Sequence, residues 1–506
     1  MRIGTGKAVL RFRDGLPLFG YGPPGGRGLN VPKGSADHDQ LQVRALYLES
    51  LPQKLLIVSY DLASGSRLVQ AALLRALERR GHSFAEGQIW TVGTHTHAAP
   101  GSYLGNGYDF FGQVPSTAGL YVIRELVRKG IEAVERALEA PQPCTFSVDQ
   151  RPLWGLARNR SLPAFLANFG GELPLWLEEL GVAPPVDLTP EEQAIDPRLW
   201  VVTFRGEPSG APLAVWASWC CHPATLPRAA ERAYHRDWPG VALDEIERHV
   251  PFAMVHQGAN GDVTSLPSGE RRIAQPLDRV REIGLAVGKA CTEIAASATA
   301  RDSRFELAHA SFSPAREGLP KPEWGAATMS GSEEFDPGWR VKAFGEGTRF
   351  PFRFGPQRPK MPAMGPLQML LRSVPSLGPS VCHPLWLLRL GDHVFFASPF
   401  EQTTHAARRA ENTLIAHWQE LRNETVTASP LGLVGDYAGY VTTEAEFDLQ
   451  HYEGAHTLYG SGQLDVLVRM WSAMIEQSGA EWPPAALDLP DLFGIGARVG
   501  RVLEEI

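Results

Sequence analysis

The feature that most limits the fold is the alternation of strand-like and helical periods over the first 140 residues. Residues 1–60 read as strand material: LQVRALYLE (41–49) and KLLIVSYDL (54–62) alternate or run apolar, with turns between. RLVQAALLRALERRGH (67–82) repeats its apolar residues at helical spacing and stops near Gly81. QIWTV (88–92) returns to a strand pattern, and AGLYVIRELVRKGIEAVERALEA (118–140) is a long amphipathic helix. This order predicts an α/β fold.

The rhythm continues downstream. WVVTF (200–204) and PLAVWASWCCH (212–222) read as strands, and 277–299 as a helix. WLLRLGDHVFFASPF (386–400) reads as a strand pair about a Gly-Asp turn, and 403–421 as a helix. Residues 313–380 are rich in Gly and Pro, a long irregular stretch of the kind that serves as a functional loop or lid. No linker composition divides the chain. The expected organisation is one large α/β domain, 1–480, with mixed β-sheets flanked by helices and a long irregular insertion near 313–380. A Pro-spaced tail, 481–506, follows it.

Composition removes several classes. A hydrophobic content of 43% is ample for a core. A net charge of −8, with no block of like charges, argues against a nucleic-acid partner. No apolar run approaches the ~20 residues of a membrane span. The five cysteines are odd in number and irregularly spaced, which predicts reduced thiols and no disulfide framework. The N-terminus lacks a charged segment followed by an apolar one. The expected location is therefore cytoplasmic, or secreted if a signal peptide has been trimmed.

Against that background a few stretches carry chemistry. GTHTHAAPGSY (93–103) places His95 and His97 two apart, on one side of a strand if the strand continues. Two imidazoles there suit a metal, or they are ordinary strand-end histidines. His222 ends the apolar run in CCHPATL, at the rim of a cleft or simply at a strand end. HQGANGDVTSLPSG (256–269) is a tight turn, with the Thr264 hydroxyl just after it. Glu401, in ASPFEQTTHAARR, is a ligand or a helix-start residue. Tyr440 and Tyr452 are functional phenols or half-buried packing residues. GTGK lacks phosphate-loop spacing, HRD at 235–237 lacks the rest of a kinase signature, and there is no G-x-S-x-G, H-E-x-x-H or C-x-x-C.

Taken in order, these stretches resemble the neutral/alkaline, non-lysosomal ceramidases. IGTGKA, FGYGPP and QLQVRALYLE resemble the family's opening. GTHTH with A-x-P-G, ARNRS (157–161), CCHPATL, NGDVT, ASPFEQTT and YVTT…YEGAHTLYG resemble its later motifs, from residue 3 to about 460. The resemblance implies a single catalytic Zn2+ held by His95, His222, Glu401 and Tyr440. It implies that His97, Arg160 and Tyr452 surround a scissile amide, His97 as the acid for the leaving amine and Arg160 and Tyr452 as oxyanion donors. Thr264 falls where the family has an essential serine. Two imidazoles and a carboxylate suit zinc; a phenolate ligand requires the metal to depress a pKa near ~10.

The sequence departs from the family in three places: Thr264 with no Pro-Asn after it, about 46 residues after LYG where an immunoglobulin-like domain is usual, and no signal peptide. The expected activity is zinc-dependent hydrolysis of an N-acyl amide, ceramide to fatty acid and sphingoid base. The alternatives are the same chemistry on another N-acylated lipid or amine, and an inactive lipid-binding homologue. The expected partner is an N-acyl lipid substrate, with transient membrane-surface contact, and 162–180 and 366–374 are the segments able to hold an acyl chain.

Overall fold

The strand-like runs assemble into two sheets. The computed structural model describes residues 1–476 except 14–15, 17, 21–38, 113–116, 175–183, 186, 227–233, 271–272, 300–301, 333–344, 351, 353, 364, 366, 369–379 and 381. The first sheet contains β1 (Arg2–Val9), β2 (Gln42–Ser50), β3 (Gln53–Tyr60), β4 (Ile89–Gly93), β5 (Gln142–Pro152), β6 (Arg198–Gly206), β7 (Pro212–Trp219) and β8 (Ala253–Gln257). Their order is β4-β3-β2-β1-β5-β6-β7-β8. The second sheet, in order, is β9 (Phe305–Phe312), β10 (His383–Leu390), β11 (His393–Ala397) and β12 (Thr427–Leu431).

Successive strand residues point to opposite faces. Where both faces are covered, as in β2, β3, β4, β6, β7, β8, β10 and β11, the strand is buried along most of its length, whereas β1, β5 and β9 alternate or are partly exposed. Leu46 and Leu48 of β2, Ile57 of β3 and Trp216 of β7 pack on Trp386, Leu388 and Phe395 of the second sheet. Trp216 stacks on Phe395 at 5.0 Å, and Trp90 meets Trp386 at 5.5 Å. The alternate residues Val43, Ala45 and Val58 face helices α1 (Arg67–Arg79) and α2 (Thr117–Glu139). Further along, Val215, Ala217 and Val255 face α3 (Asp237–Ile246) and α4 (Pro276–Ser297). The outer face of the second sheet, with Leu387 and Phe396, is covered by α5 (Thr404–Arg422) and, beyond the short α6 (Tyr452–His456), by α7 (Gln463–Glu476). The layers run helix, sheet, sheet, helix.

Most neighbouring strands are antiparallel. Three pairs within these sheets are parallel: β3 with β4, β7 with β8, and β11 with β12. A parallel pair needs a crossover, and α1, α3 and α5 supply the three helices. Twist accumulates over eight strands. The loops at the two edges of the first sheet meet, where Gln257 Nε2 donates to the Thr94 carbonyl at 3.2 Å. Gly432, just after β12, donates its N–H to Gln257 O at 3.0 Å. The carboxyl ends of all three βαβ units therefore converge.

The mixed-sheet α/β expectation holds. Strands β5, β9 and β12 and helices α3, α6 and α7 are additional to the elements expected from sequence. The irregular stretch joins β9 to β10, whose ends pair Phe312 with His383. Most of 366–374, part of 162–180 and the tail 481–506 lie outside the described residues. All five cysteines are free. Among the described residues no helix is long and apolar enough to cross a membrane.

Trp386 is fully buried between the sheets, and its indole N–H donates to Gly87 O at 3.0 Å. Trp386→Ala leaves a cavity there and is expected to cost about 3–5 kcal/mol of stability, measured as a fall in the urea midpoint without a change in slope.

Candidate metal centre

Each βαβ unit delivers part of one buried cluster. Strand β4 ends at Gly93, before the histidines. Strand alternation therefore does not bring His95 and His97 together. His95 instead adopts φ 74°, an uncommon region for a residue with a Cβ. Its N–H donates to Leu62 O at 2.8 Å and its Nδ1 lies 2.6 Å from Ala63 O. Both carbonyls belong to the loop after β3, the parallel neighbour. The Nδ1 proton is thus committed, and Nε2 is turned inward. The His95 and His97 rings then meet edge-to-face at 4.9 Å.

The second unit repeats the device. His222 follows β7, and both its N–H and its Nδ1 lie 3.1 Å from Val263 O, in the loop after β8. The third unit supplies Glu401, after β11, and Tyr440, after β12. These two are register partners in a two-residue parallel ladder.

The groups meet as follows. Glu401 Oε2 is 2.8 Å from His222 Nε2 and 3.3 Å from His95 Nε2. Tyr440 OH is 3.4 Å from His222 Nε2. Ring nitrogens of His95, His97 and His222 all lie within 4.8 Å of one another. His95, His222, Glu401 and Tyr440 are buried, whereas His97 is half-buried. Zinc–ligand bonds of about 2.0–2.1 Å set tetrahedral neighbours about 3.3–3.4 Å apart. Two of the three ligand–ligand distances match that spacing, so the donor set fits such an ion.

Arg160 and Tyr452 stand on the same cluster. Arg160 donates from Nε to Glu453 Oε1 at 2.8 Å, and from Nη2 to Gly261 O at 2.7 Å and Tyr440 OH at 3.2 Å. The Tyr452 ring is 5.6 Å from that of Tyr440 and 5.5 Å from the Arg160 guanidinium. Thr264 is fully buried, one residue after the carbonyl that holds His222. Its hydroxyl accepts from Leu266 N at 3.2 Å, a local turn bond. No described contact joins its hydroxyl to the histidines or to Glu401.

Burial and neighbouring charge set the protonation states. Burial, with the Arg160 charge added, pushes His222 below the usual imidazole range, against the opposing pull of Glu401. Burial opposes ionisation of Glu401, but the two imidazoles against its carboxylate outweigh this and hold it well below the usual range. Burial, with Glu401 nearby, pushes the Tyr440 phenol well above 10. It keeps its proton until a cation sits against it.

Sequence reasoning missed the residues that hold these groups. Tyr437 OH donates to Glu401 Oε1 at 2.8 Å, and Asn260 Nδ2 to Oε2 at 3.3 Å. Glu453 accepts from Arg160 and also from Ser161 Oγ at 2.6 Å. The available signal was proximity: Asn260 lies in the NGD turn, Tyr437 three residues before Tyr440, and Glu453 directly after Tyr452.

The fold and the cluster define a four-layer α/β protein with a closed candidate metal centre at converging strand ends. The family model for neutral/alkaline non-lysosomal ceramidase, N-terminal part, matches residues 29–268 and 366–469, well over half of the chain, and the chain belongs to that family. It is 25% identical to a neutral ceramidase of Pseudomonas aeruginosa over 94% of this chain and 75% of the relative. It is also 25% identical to one of Mycobacterium tuberculosis, over 91% of this chain and 74% of the relative. A solved structure described as "Ceramidase complexed with C2" superposes with a TM-score of 0.72 at 20% identity, over 94% of this chain and 75% of that one; this likeness is one of fold.

Tyr437→Phe removes only the hydroxyl that orients Glu401. If the cluster binds a divalent cation, a 10–100-fold loss of affinity for it is expected, read by competition with a chelator; an unchanged affinity would show that the bond does not orient a metal-binding group.

Proposed function

We propose that this chain is a zinc-dependent amidohydrolase that cleaves ceramide to a fatty acid and a sphingoid base. One observation carries the reading: His95, His222, Glu401 and Tyr440 come from distant stretches and meet in one buried cluster, in a chain that belongs to the neutral ceramidases. When bound, zinc supplies Lewis acidity and lowers the pKa of a water to about 7. His95 and His222 offer it their Nε2 atoms, Glu401 its charge and Tyr440 its phenol oxygen.

The remaining residues act on the amide. Arg160 brings a fixed positive charge to the Tyr440 hydroxyl, where a carbonyl oxygen gaining charge is stabilised. Glu453 and Gly261 O hold the guanidinium, so little reorganisation is needed during reaction. Tyr452 is half-buried beside that guanidinium and offers a second donor. His97, half-buried next to His95, carries the proton required by the departing amine.

A second reading, the same chemistry on another N-acylated lipid or amine, is favoured by Thr264. A β-branched residue with a stiff χ1 stands there, and its hydroxyl is engaged by Leu266 N.

The test is release of sphingoid base from a short-chain ceramide, followed by mass spectrometry. Release that chelator abolishes and Zn2+ restores is the expected result. Failure to release base, with a full complement of zinc, would reject ceramide and move the search to other N-acyl amides. Thr264→Ser keeps the turn bond and is expected to retain activity within a few-fold. Thr264→Ala leaves the buried Leu266 N–H unpaired and is expected to cost about 1–3 kcal/mol of stability, read as a fall in the urea midpoint; turnover of the folded variant is measured beside it. An alanine variant as fast as the parent removes the hydroxyl from the mechanism.

A further inference from the structure

One segment of the long insertion is built against the usual rule for apolar side chains. Phe350, Phe352 and Phe354 are 50%, 80% and 95% exposed within five residues. Single exposed apolar residues are ordinary, but three aromatic rings together mark a surface that something covers.

The segment is anchored at its base. Arg349 bridges Lys360 antiparallel, and Phe350 N donates to Pro359 O at 2.8 Å. Lys360 is fully buried, with Nζ on the carbonyls of Glu323 (2.9 Å) and Thr457 (2.6 Å). Buried Gln357 donates to Leu458 O at 2.7 Å, and Arg349 to Asp448 O at 3.2 Å. The loop is therefore fastened to the segment that carries Tyr452 and Glu453, on one wall of the centre, while its rings point to solvent.

Its charge is opposite to that of the whole. The chain carries −8, yet from residue 349 to 360 there are three arginines and a lysine and no acid. Arg349 and Arg358 are exposed. Prolines at 351, 356 and 359 lack the backbone N–H that an added strand would need, which argues against a strand partner. Exposed aromatic rings flanked by the exposed Arg349 and Arg358 suit an anionic lipid interface: rings enter the acyl boundary while arginines stay at the phosphates. The segment lies in the stretch 269–365, which the family model does not match.

We infer that the loop 349–360 is a docking surface for anionic lipid bilayers, which sets the centre against the membrane that holds an N-acyl lipid. The loop is defined by exposure and charge, and it is tested by binding without turnover. Its failure is thus separate from failure of the proposed hydrolysis.

The full chain is sedimented with phosphatidylcholine vesicles, with and without phosphatidylglycerol. Partition onto the anionic vesicles is expected to fall at least about tenfold when Phe350, Phe352 and Phe354 are all changed to Ser. The pair Arg349→Gln and Arg358→Gln is expected to weaken binding to anionic vesicles alone. Circular dichroism checks that each variant folds; if the triple variant does not, Phe354→Ser, at the most exposed ring, is used instead. The inference is overturned if the parent chain does not partition onto anionic vesicles, or if the Phe variants partition equally well. It is also overturned if ultracentrifugation without lipid shows the rings joining two copies of the chain.

Discussion

Everything at the centre depends on how a carboxylate can be buried. Glu401 is 1% exposed, and an ion removed so far from water is tolerated only when its charge is met on several sides. His95 and His222 meet one oxygen, with Asn260; Tyr437 meets the other. Each imidazole is itself fixed by backbone: His95 by the loop after β3, His222 by the loop after β8. The strained φ of His95 is a local cost held by those bonds. The charge, the imidazole tautomers and the loop conformations are one interlocked arrangement.

The scaffold makes that arrangement by repetition. In each βαβ unit, residues from the loops after both strands reach the site. In two of the units one loop bears a histidine and its neighbour supplies the carbonyl that orients it. In the third, Glu401 and Tyr440 pair across a short ladder. A second carboxylate, Glu453, does for Arg160 what Tyr437 does for Glu401. Positioning is therefore spread over Asn260, Tyr437 and Glu453, which hold the clustered groups from behind.

The secondary structure around this core was legible where periodicity was strong. Helices α1, α2, α4 and α5 follow their apolar spacing, and β2, β3 and β10 their apolar runs. Strand β12, Thr-Ala-Ser-Pro-Leu, carries no strand signal, because its place is fixed by parallel pairing with β11. Helix α7 has helical spacing at 464, 467, 471 and 474 and still lay outside the expected elements. Each site residue loses to a bland reading when taken alone; only the ordered family motifs joined them. The geometry behind them was not legible. GTHTH gives no hint of a left-handed turn at His95, and Glu453 looks like any acid in a helical first turn.

The wide separation of the three units along the chain bears on how the protein reaches its native state. His95, His222 and Glu401 are each more than a hundred residues from the next. Closing loops of that length is entropically unfavourable until sheet and helix packing offsets it. The cluster therefore depends on long-range packing: its groups are brought together only where the sheets and their crossover helices are already in place.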